Sequence, residues 1–289
     1  MDVFEVLNQK FNLCKQVDSL NEMLFIEKPL HDFVDYSFAN VFEQNLLRTW
    51  DYSNGYISFK DLLLDLDIYN PISKAPKKLS IERDALLCLQ LLINIIAYAR
   101  NHLDAFMDYR WDQHKFFSEV NHKISFILDK SAMKVIRHSK ENYLMLAPVD
   151  EKLRAVAEST DVDTAVLLYE YASPLLKGKP VEKREVLRQL ASRIETIALT
   201  YKKIYSSGLG YSIFNNLTTL LNNFEIRHSN MEPKNEKNFK AELHSYTAKD
   251  WEEIYDTTYQ LILDALLIDN YKHTHEPIIE KHKQRIGLI

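Results

Sequence analysis

The apolar stretch ALLCLQLLINIIAYARNHLDAFM, residues 85–107, decides the fold class of this chain. Its length exceeds that of ordinary strands, and Ser80 with Glu82 and Asp84 just before it provides acidic residues for a first helical turn. We therefore predict a helix from residue 80 to about residue 110. Because its interior is almost wholly apolar, we expect it to be the central helix of the first half.

Helical periodicity recurs on both sides of this stretch. The 289 residues include only 5 Gly and 8 Pro, a composition that favours long helices over many tight turns. Asn54-Gly55 predicts a turn, and Thr247 with Asp250 predicts a capping pair. The further predicted helices are 3–25, 36–50, 58–66, 114–129, 149–158, 162–176, 181–206, 211–228 and 248–270.

One segment, residues 131–148, departs from the helical period. Val135 and Ile136 are β-branched, a polar run follows them, and residues 143–146 are apolar again before Pro148. This pattern predicts a small β-hairpin. The predicted fold is therefore all-α, with helical-bundle halves at 1–147 and 148–289 and the hairpin between them.

The charge balance limits the partners. The chain has 36 basic and 41 acidic residues, both scattered, with a net charge of -5. A general attraction to nucleic acid is not indicated, so DNA binding is not expected and any RNA site must be a local patch.

The cysteines and the N-terminal sequence indicate a cytoplasmic protein. Cys14 and Cys88 are far apart in apolar helical contexts, which predicts buried thiols. MDVFEVLNQKFNL lacks the basic start of a signal peptide, and no apolar run approaches the roughly 18 residues of a membrane span. We expect no membrane association.

The tetrapeptide IRHS occurs at 136–139 and again at 226–229, within FEIRHSN at 224–230, but the flanking residues differ, so the copies are not a repeat. On a helix 211–228, Asn216, Asn223 and Arg227 would form one line, continued by Asn230. Guanidinium and amide groups beside an imidazole can bind phosphate and transfer a proton. Alternatively, the arginine neutralises a helix C-terminus and His228 is a core residue.

The second half resembles the HEPN-type helical domains of bacterial abortive-infection and other defence proteins. The resemblance covers about residues 148–270 and rests on SPLLKGKPVEKREVLRQLASRIE, WEEIYDTTYQLILDALL and above all FNNLTTLLNNFEIRHSN. It implies a metal-independent endoribonuclease whose sites meet across a homodimer. No cofactor and no metal are implied.

The HEPN motif is an arginine, a polar residue, four to six spacers and a histidine. Arg227 matches its arginine and His228 its polar position, but Pro233, Lys234 and Asn235 stand where the histidine is expected. Either His228 or a folded-back His244 substitutes, or the domain does not cleave RNA. For cleavage, the resemblance implies that His228 or His244 transfers protons, Arg227 stabilises charge, and Asn223 and Asn230 orient the phosphate.

A basic segment precedes this motif and is a candidate RNA-binding patch. Interspersed Glu182 and Glu185 also fit an ordinary solvated helix start. The candidate RNA-binding residues are Lys177, Lys179, Lys183, Arg184 and Arg188. Near the C-terminus, HTHEPIIEKH contains metal-ligand residue types, but we interpret it as a polar tail.

Two functions remain open from the sequence. One is an RNA-directed toxin or defence effector, and the other is a non-catalytic helical interaction module that forms a homodimer. The environment of Arg227 discriminates between them. An arginine exposed in a groove favours RNA chemistry, whereas one fully paired with intrachain carboxylates favours a module.

Overall fold

The computed structural model divides the chain into two compact units, Met1–Leu146 and Ala147–Ile289. The residues that it describes are 11–25, 28–29, 35–50, 63–64, 69–70, 75–76, 78–102, 113–137, 143–205, 207–232 and 237–286. The predicted Asn54-Gly55 turn and most of the predicted helix 58–66 lie outside these residues.

Helices dominate the first unit. They are α1 Leu13–Phe25, α2 Phe38–Asn45, α3 Glu82–Asn101 and α4 Gln113–Lys130, with a 3₁₀ turn at Leu47–Thr49. Two-residue strands form the antiparallel pairs β1 Lys28–Pro29 with β2 Asp35–Tyr36 and β3 Tyr69–Asn70 with β4 Ala75–Pro76. A longer pair, β5 Met133–Arg137 and β6 Leu144–Pro148, forms the hairpin between the two helical sets.

The stretch that decides the fold class forms α3, which packs against α1 and α4. Its polar interior residues bind the hairpin. The Asn94 amide exchanges two 2.7 Å hydrogen bonds with the backbone of Leu144, and Leu146 N–H donates to Gln90 Oε1 at 2.8 Å. Although most of α3 is apolar, the amide side chains of Asn94 and Gln90 thus bind the backbone of β6.

Both cysteines are buried and free, as predicted. The Cys88 thiol donates to Asn21 Oδ1 at 3.2 Å, and burial raises the pKa of Cys88 to about 12. Since a thiol with that pKa stays protonated at neutral pH, Cys88 is an inert core residue.

The second unit is also a helical bundle. Its helices are α5 Glu151–Glu158, α6 Val162–Ala172, α7 Pro180–Ile204, α8 Gly208–Asn223, α9 Ala248–Asn270 and α10 Glu276–Arg285. Short 3₁₀ turns lie at Pro174–Leu176 and Ala241–Ser245, and a π-helical segment, Tyr271–His275, joins α9 to α10.

The core of this bundle lies between α7, α8 and α9, which all contact one another. Leu190 and Ile194 of α7, Phe214 and Leu217 of α8, and Ile262 of α9 are almost wholly buried. Thr247 and Asp250 form the predicted capping box at the start of α9. The confirmed architecture is thus mostly helical, with a small hairpin.

Several predicted helix ends are wrong. Helix α6 ends at Ala172 because Ser173 begins a separate 3₁₀ turn, and α8 ends at Asn223 instead of residue 228. The HTHEPIIEKH segment is not an irregular polar tail but belongs to the π segment and α10. Among the described residues, no helix combines the length and the apolar character needed to cross a bilayer.

Candidate functional site

Helix α8 leads into residues 224–232, which we call the Arg227 loop. Phe224 leaves the helical conformation, with φ of -128° and ψ of 53°, and Glu225 after it is left-handed, with φ of 60°. Arg227 N–H then bonds back to Leu221 O at 3.0 Å. A left-handed non-glycine residue costs on the order of 1–3 kcal/mol and persists only where its surroundings enforce it.

Asn230 supplies that enforcement. Its side chain is completely buried, and its Oδ1 accepts Glu225 N–H at 3.0 Å. Its amide donates to Asn222 O at 3.0 Å and to Asn238 O at 2.9 Å. One side chain therefore joins the end of α8, the bend at Glu225 and the chain that returns after the loop.

The Glu225 side chain adds a second brace. It is buried, accepts Met231 N–H at 2.5 Å, and lies 3.7 Å from Arg184 Nη1. Arg188 donates to Ile226 O at 3.1 Å and to Glu225 O at 3.4 Å. The predicted RNA-binding residues Arg184 and Arg188 thus hold the loop from α7.

Arg227 lies on the outer side of this braced loop. Its Nη1 donates to Asn222 Oδ1 at 3.0 Å, and its Nη2 forms a short ion pair with Glu195 of α7. The side chains of Arg227 and Glu195 are 25% and 36% exposed. Arg227 is therefore neither fully exposed nor fully paired, since one carboxylate pairs with it while part of the guanidinium remains accessible.

The two histidines lie in different settings. His228 is half-buried and makes no hydrogen bond within the described part of the chain. His244 is exposed on the 3₁₀ turn Ala241–Ser245, with its ring centroid 6.2 Å from that of Phe239. The chain that carries His244 is tied to the loop, because Lys240 N–H donates to Asn230 O at 2.7 Å.

The predicted line of asparagines with Arg227 is wrong, because α8 ends before Arg227. Asn223 donates to Thr219 O at 2.8 Å on the exposed side of α8. Asn230 has given both amide hydrogens to buried carbonyls, so in this conformation it cannot donate to a phosphate. The structure instead brings Asn222 and Glu195 to Arg227.

The predicted RNA-binding residues do not form one exposed basic patch. Lys177 is exposed and Lys179 is half-buried at the start of α7, but Lys183 is only 6% exposed. Its ammonium group lies 2.7 Å from both Glu252 Oε1 and Asp256 Oδ1 of α9. Because these carboxylates compensate its charge, Lys183 is a structural residue and not part of an RNA-facing surface.

Lys183 belongs to a cluster with Tyr171, Glu252 and Asp256, which we call the Lys183 cluster. Tyr171 O–H donates to Asp256 Oδ1 at 2.8 Å, and the Lys183 ammonium lies 5.5 Å from the centroid of the Tyr171 ring. Burial, followed by the charge of Asp256, raises the pKa of Tyr171 far above its usual value. This phenol therefore stays protonated and acts as a hydrogen-bond donor.

The cluster lines an open cavity of about 770 Å³ between α6, α7 and α9. The N–H of Gly178, whose φ is 76°, donates to Glu252 at 2.7 Å. This hydrogen bond and the contact with Lys183 lower the pKa of Glu252. Within the cluster, Lys183 is the shared cationic partner of Glu252 and Asp256.

One sequence signal could have identified Glu195. Arg184, Arg188 and Glu195 are spaced at i, i+4 and i+11 on α7, which places them on one helix face. That face points to the Arg227 loop. Glu252 and Asp256 give no comparable signal, because they lie 69 and 73 residues from Lys183.

The histidine-rich C-terminal segment contains residue types that can bind metal ions. His273 lies 3.3 Å from Asp269, and His275 is near Tyr271. Across the described ranges, no three His, Cys, Asp or Glu side chains converge as metal ligands would.

Comparison with known proteins adds no relative, since no family model, curated protein or solved structure matches this chain.

Proposed function

We propose that the protein acts on RNA through the Arg227 loop, as a HEPN-like, metal-independent endoribonuclease. The observation that carries the proposal is the strained backbone at Glu225, which buried Asn230 and Arg188 hold in place. Backbone strain of this kind concentrates at functional sites. Arg227 and His228 follow this residue in the chain, and both are partly exposed.

The proposed chemistry is attack of an RNA 2′-hydroxyl on the adjacent phosphate, which forms a 2′,3′-cyclic phosphate as the bond to the 5′-oxygen of the next nucleotide breaks and that oxygen is protonated. His228 takes or returns a proton, and Arg227 stabilises the charge that develops on the phosphorane. Asn230 keeps the loop in shape and does not contact the substrate, while exposed His244 is the alternative proton-transfer group. The resemblance to abortive-infection proteins makes a toxin or phage-defence effector the proposed setting, in the cytoplasm.

The test is incubation of the pure protein with mixed RNA in EDTA. We expect cleavage by the wild type, and Arg227→Ala and His228→Ala should each reduce its rate by about 100-fold or more, because each removes a group used in the transition state. Arg137→Ala is the matched control: Arg137 belongs to the other IRHS copy and ends β5 in the other unit. Its rate should not change.

Three outcomes would contradict the proposal. These are no cleavage of a broad RNA panel by the wild type, cleavage that EDTA abolishes, or equal loss of activity in Arg137→Ala. Thermal melts of each variant separate a lost function from a lost fold.

A second candidate function, a homodimeric interaction module, is favoured by helix α10. None of its residues is buried, and the isoleucines Ile278, Ile279 and Ile286 lie at i, i+1 and i+8. Ile278 is 55% exposed and Ile286, just after the helix, is 70% exposed. An amphipathic helix with an uncovered apolar stripe suits contact with another protein surface, here a second copy of the chain.

Light scattering at micromolar concentration tests this module. We expect a dimer for the wild type and a monomer for Ile278→Asp, because a carboxylate in an apolar interface is not compensated. Val181→Asp is the control, since Val181 is 62% exposed at the start of α7. A monomeric wild type, or a dimer that survives Ile278→Asp, would contradict assembly through α10.

A further inference from the structure

The charges around the Arg227 loop are nearly balanced. Arg184 and Arg188 interact with Glu185, and Arg184 also lies near Glu225. Arg227 has Glu195. A site whose arginine is already neutralised has little attraction for a phosphate, because a second anion meets both an occupied guanidinium and a like charge.

Glu195 occupies the part of Arg227 that a phosphate would use. Arginine binds a carboxylate and a phosphate through the same planar array of N–H donors. Its Nη1 is held by the neutral Asn222 amide and its Nη2 by the Glu195 carboxylate. The Asn222 contact orients the guanidinium, whereas the Glu195 contact competes with an anionic ligand.

We propose that Glu195 is an intrachain occupant of an anion site at Arg227, and that an RNA phosphodiester must displace it. This inference rests on the proposed function and assigns its regulation. The Arg227–Glu195 contact keeps the site closed to weakly bound anions. A multivalent RNA, which brings several phosphates to the surface, overcomes the competition.

Glu195 can move away from Arg227 because its side chain lies at the surface. Its side chain is 36% exposed, so the carboxylate can turn into water. Ion pairs between partly exposed side chains contribute little to stability, and salt weakens them further. The backbone of the loop need not move, since Asn230 and Arg188 hold it independently of Glu195.

Glu195→Gln tests the inference, because it removes the charge and keeps the shape. The probe is a fluorescent 2′-O-methyl RNA 10-mer, which carries phosphodiesters but lacks the attacking hydroxyl. Binding is measured by anisotropy at one fixed salt concentration, since salt strongly affects such affinities. We expect Glu195→Gln to bind about tenfold tighter than the wild type, and Glu195→Gln with Arg227→Ala to lose that gain.

Asp163→Asn is the matched control. Asp163 pairs with Arg193 of α7 at 3.3 Å, and its side chain is 38% exposed, so it resembles Glu195 in both pairing and exposure. It lies in the first turn of α6, and the arginine with which it pairs is Arg193 instead of Arg227. We expect its affinity for the probe to equal that of the wild type.

The inference and the proposed function fail separately. If Glu195→Gln binds no tighter than the wild type, or if Asp163→Asn gains as much, the role of Glu195 is overturned even if the wild type cleaves RNA. If Glu195→Gln gains affinity through Arg227 but no variant cleaves RNA, the gated anion site stands and the ribonuclease proposal fails.

Discussion

Asn230→Ala is expected to lower the free energy of unfolding of the second unit by about 4 kcal/mol. The substitution leaves Glu225 N–H, Asn222 O and Asn238 O without their buried partner. Each unsatisfied buried polar group costs roughly 1–3 kcal/mol, and a cavity adds to that sum. Urea unfolding measures the total loss.

Asn223→Ala is the control for this change, because Asn223 lies seven residues earlier and its side chain bonds to Thr219 O of its own helix. We expect an effect within about 0.5 kcal/mol, as for ordinary surface substitutions. Hydrogen exchange gives a local readout: the amides of Glu225 and Lys240 should exchange faster in Asn230→Ala only. Similar unfolding curves for the two variants would show that Asn230 does not hold the loop.

Lys183→Ala is the second substitution with a large expected effect, a loss of about 3 kcal/mol. It removes the cation that both Glu252 and Asp256 contact at 2.7 Å, and it also removes a buried aliphatic stem. Breaking a buried ion pair by deleting one partner costs about 3–5 kcal/mol, and the lower end applies because the carboxylates are 23% and 51% exposed.

Lys183→Met separates the charge from the stem. Methionine refills the space, so we expect a loss of about 1–2 kcal/mol, smaller than that for alanine. Lys203→Ala, an exposed lysine of the same helix, should change stability by less than about 0.5 kcal/mol. Equal losses for the alanine variants at 183 and 203 would mean that the ion pairs do not stabilise the bundle.

The pH dependence of stability gives a further readout of this cluster. Contacts with Gly178 N–H and Lys183 lower the pKa of Glu252 below its ordinary 4.5. The stability that this carboxylate contributes is present above its unfolded pKa and is lost as the pH falls through the lower folded value. In Lys183→Met the acid-dependent loss should be smaller, because one cause of the shift is gone.

The sequence predicted helices where periodicity and composition were strong, as in α3 and α9. It overestimated α8 because the residues after Asn223 remain mixed apolar and polar, and nothing local marks Glu225 as left-handed. The cause of the bend is Asn230, whose side chain captures backbone groups on both sides. Such a capture depends on three-dimensional closure, which helical periodicity does not reveal.

The candidate site was predictable only where its residues are close in sequence. Arg227 and His228 are adjacent, so the tetrapeptide IRHS identifies both as candidate site residues. Glu195 lies 32 residues away from Arg227 in the sequence. In the sequence Lys183 resembles a solvated basic residue, but in the structure it pairs with two carboxylates of α9. Sequence patterns identify residue types and helix faces, but which charge neutralises which depends on how the helices pack.

The π-helical segment Tyr271–His275 changes the directions in which the side chains of α10 point. A π turn acts as a residue inserted into an α-helix, and each residue of a regular helix advances the side-chain direction by about 100°. The side chains of α10 therefore point in directions offset from those that an uninterrupted α-helix would give them. Helix α9 buries its apolar face in its own bundle, whereas Ile278 and Ile279 of α10, beyond the π segment, stay exposed.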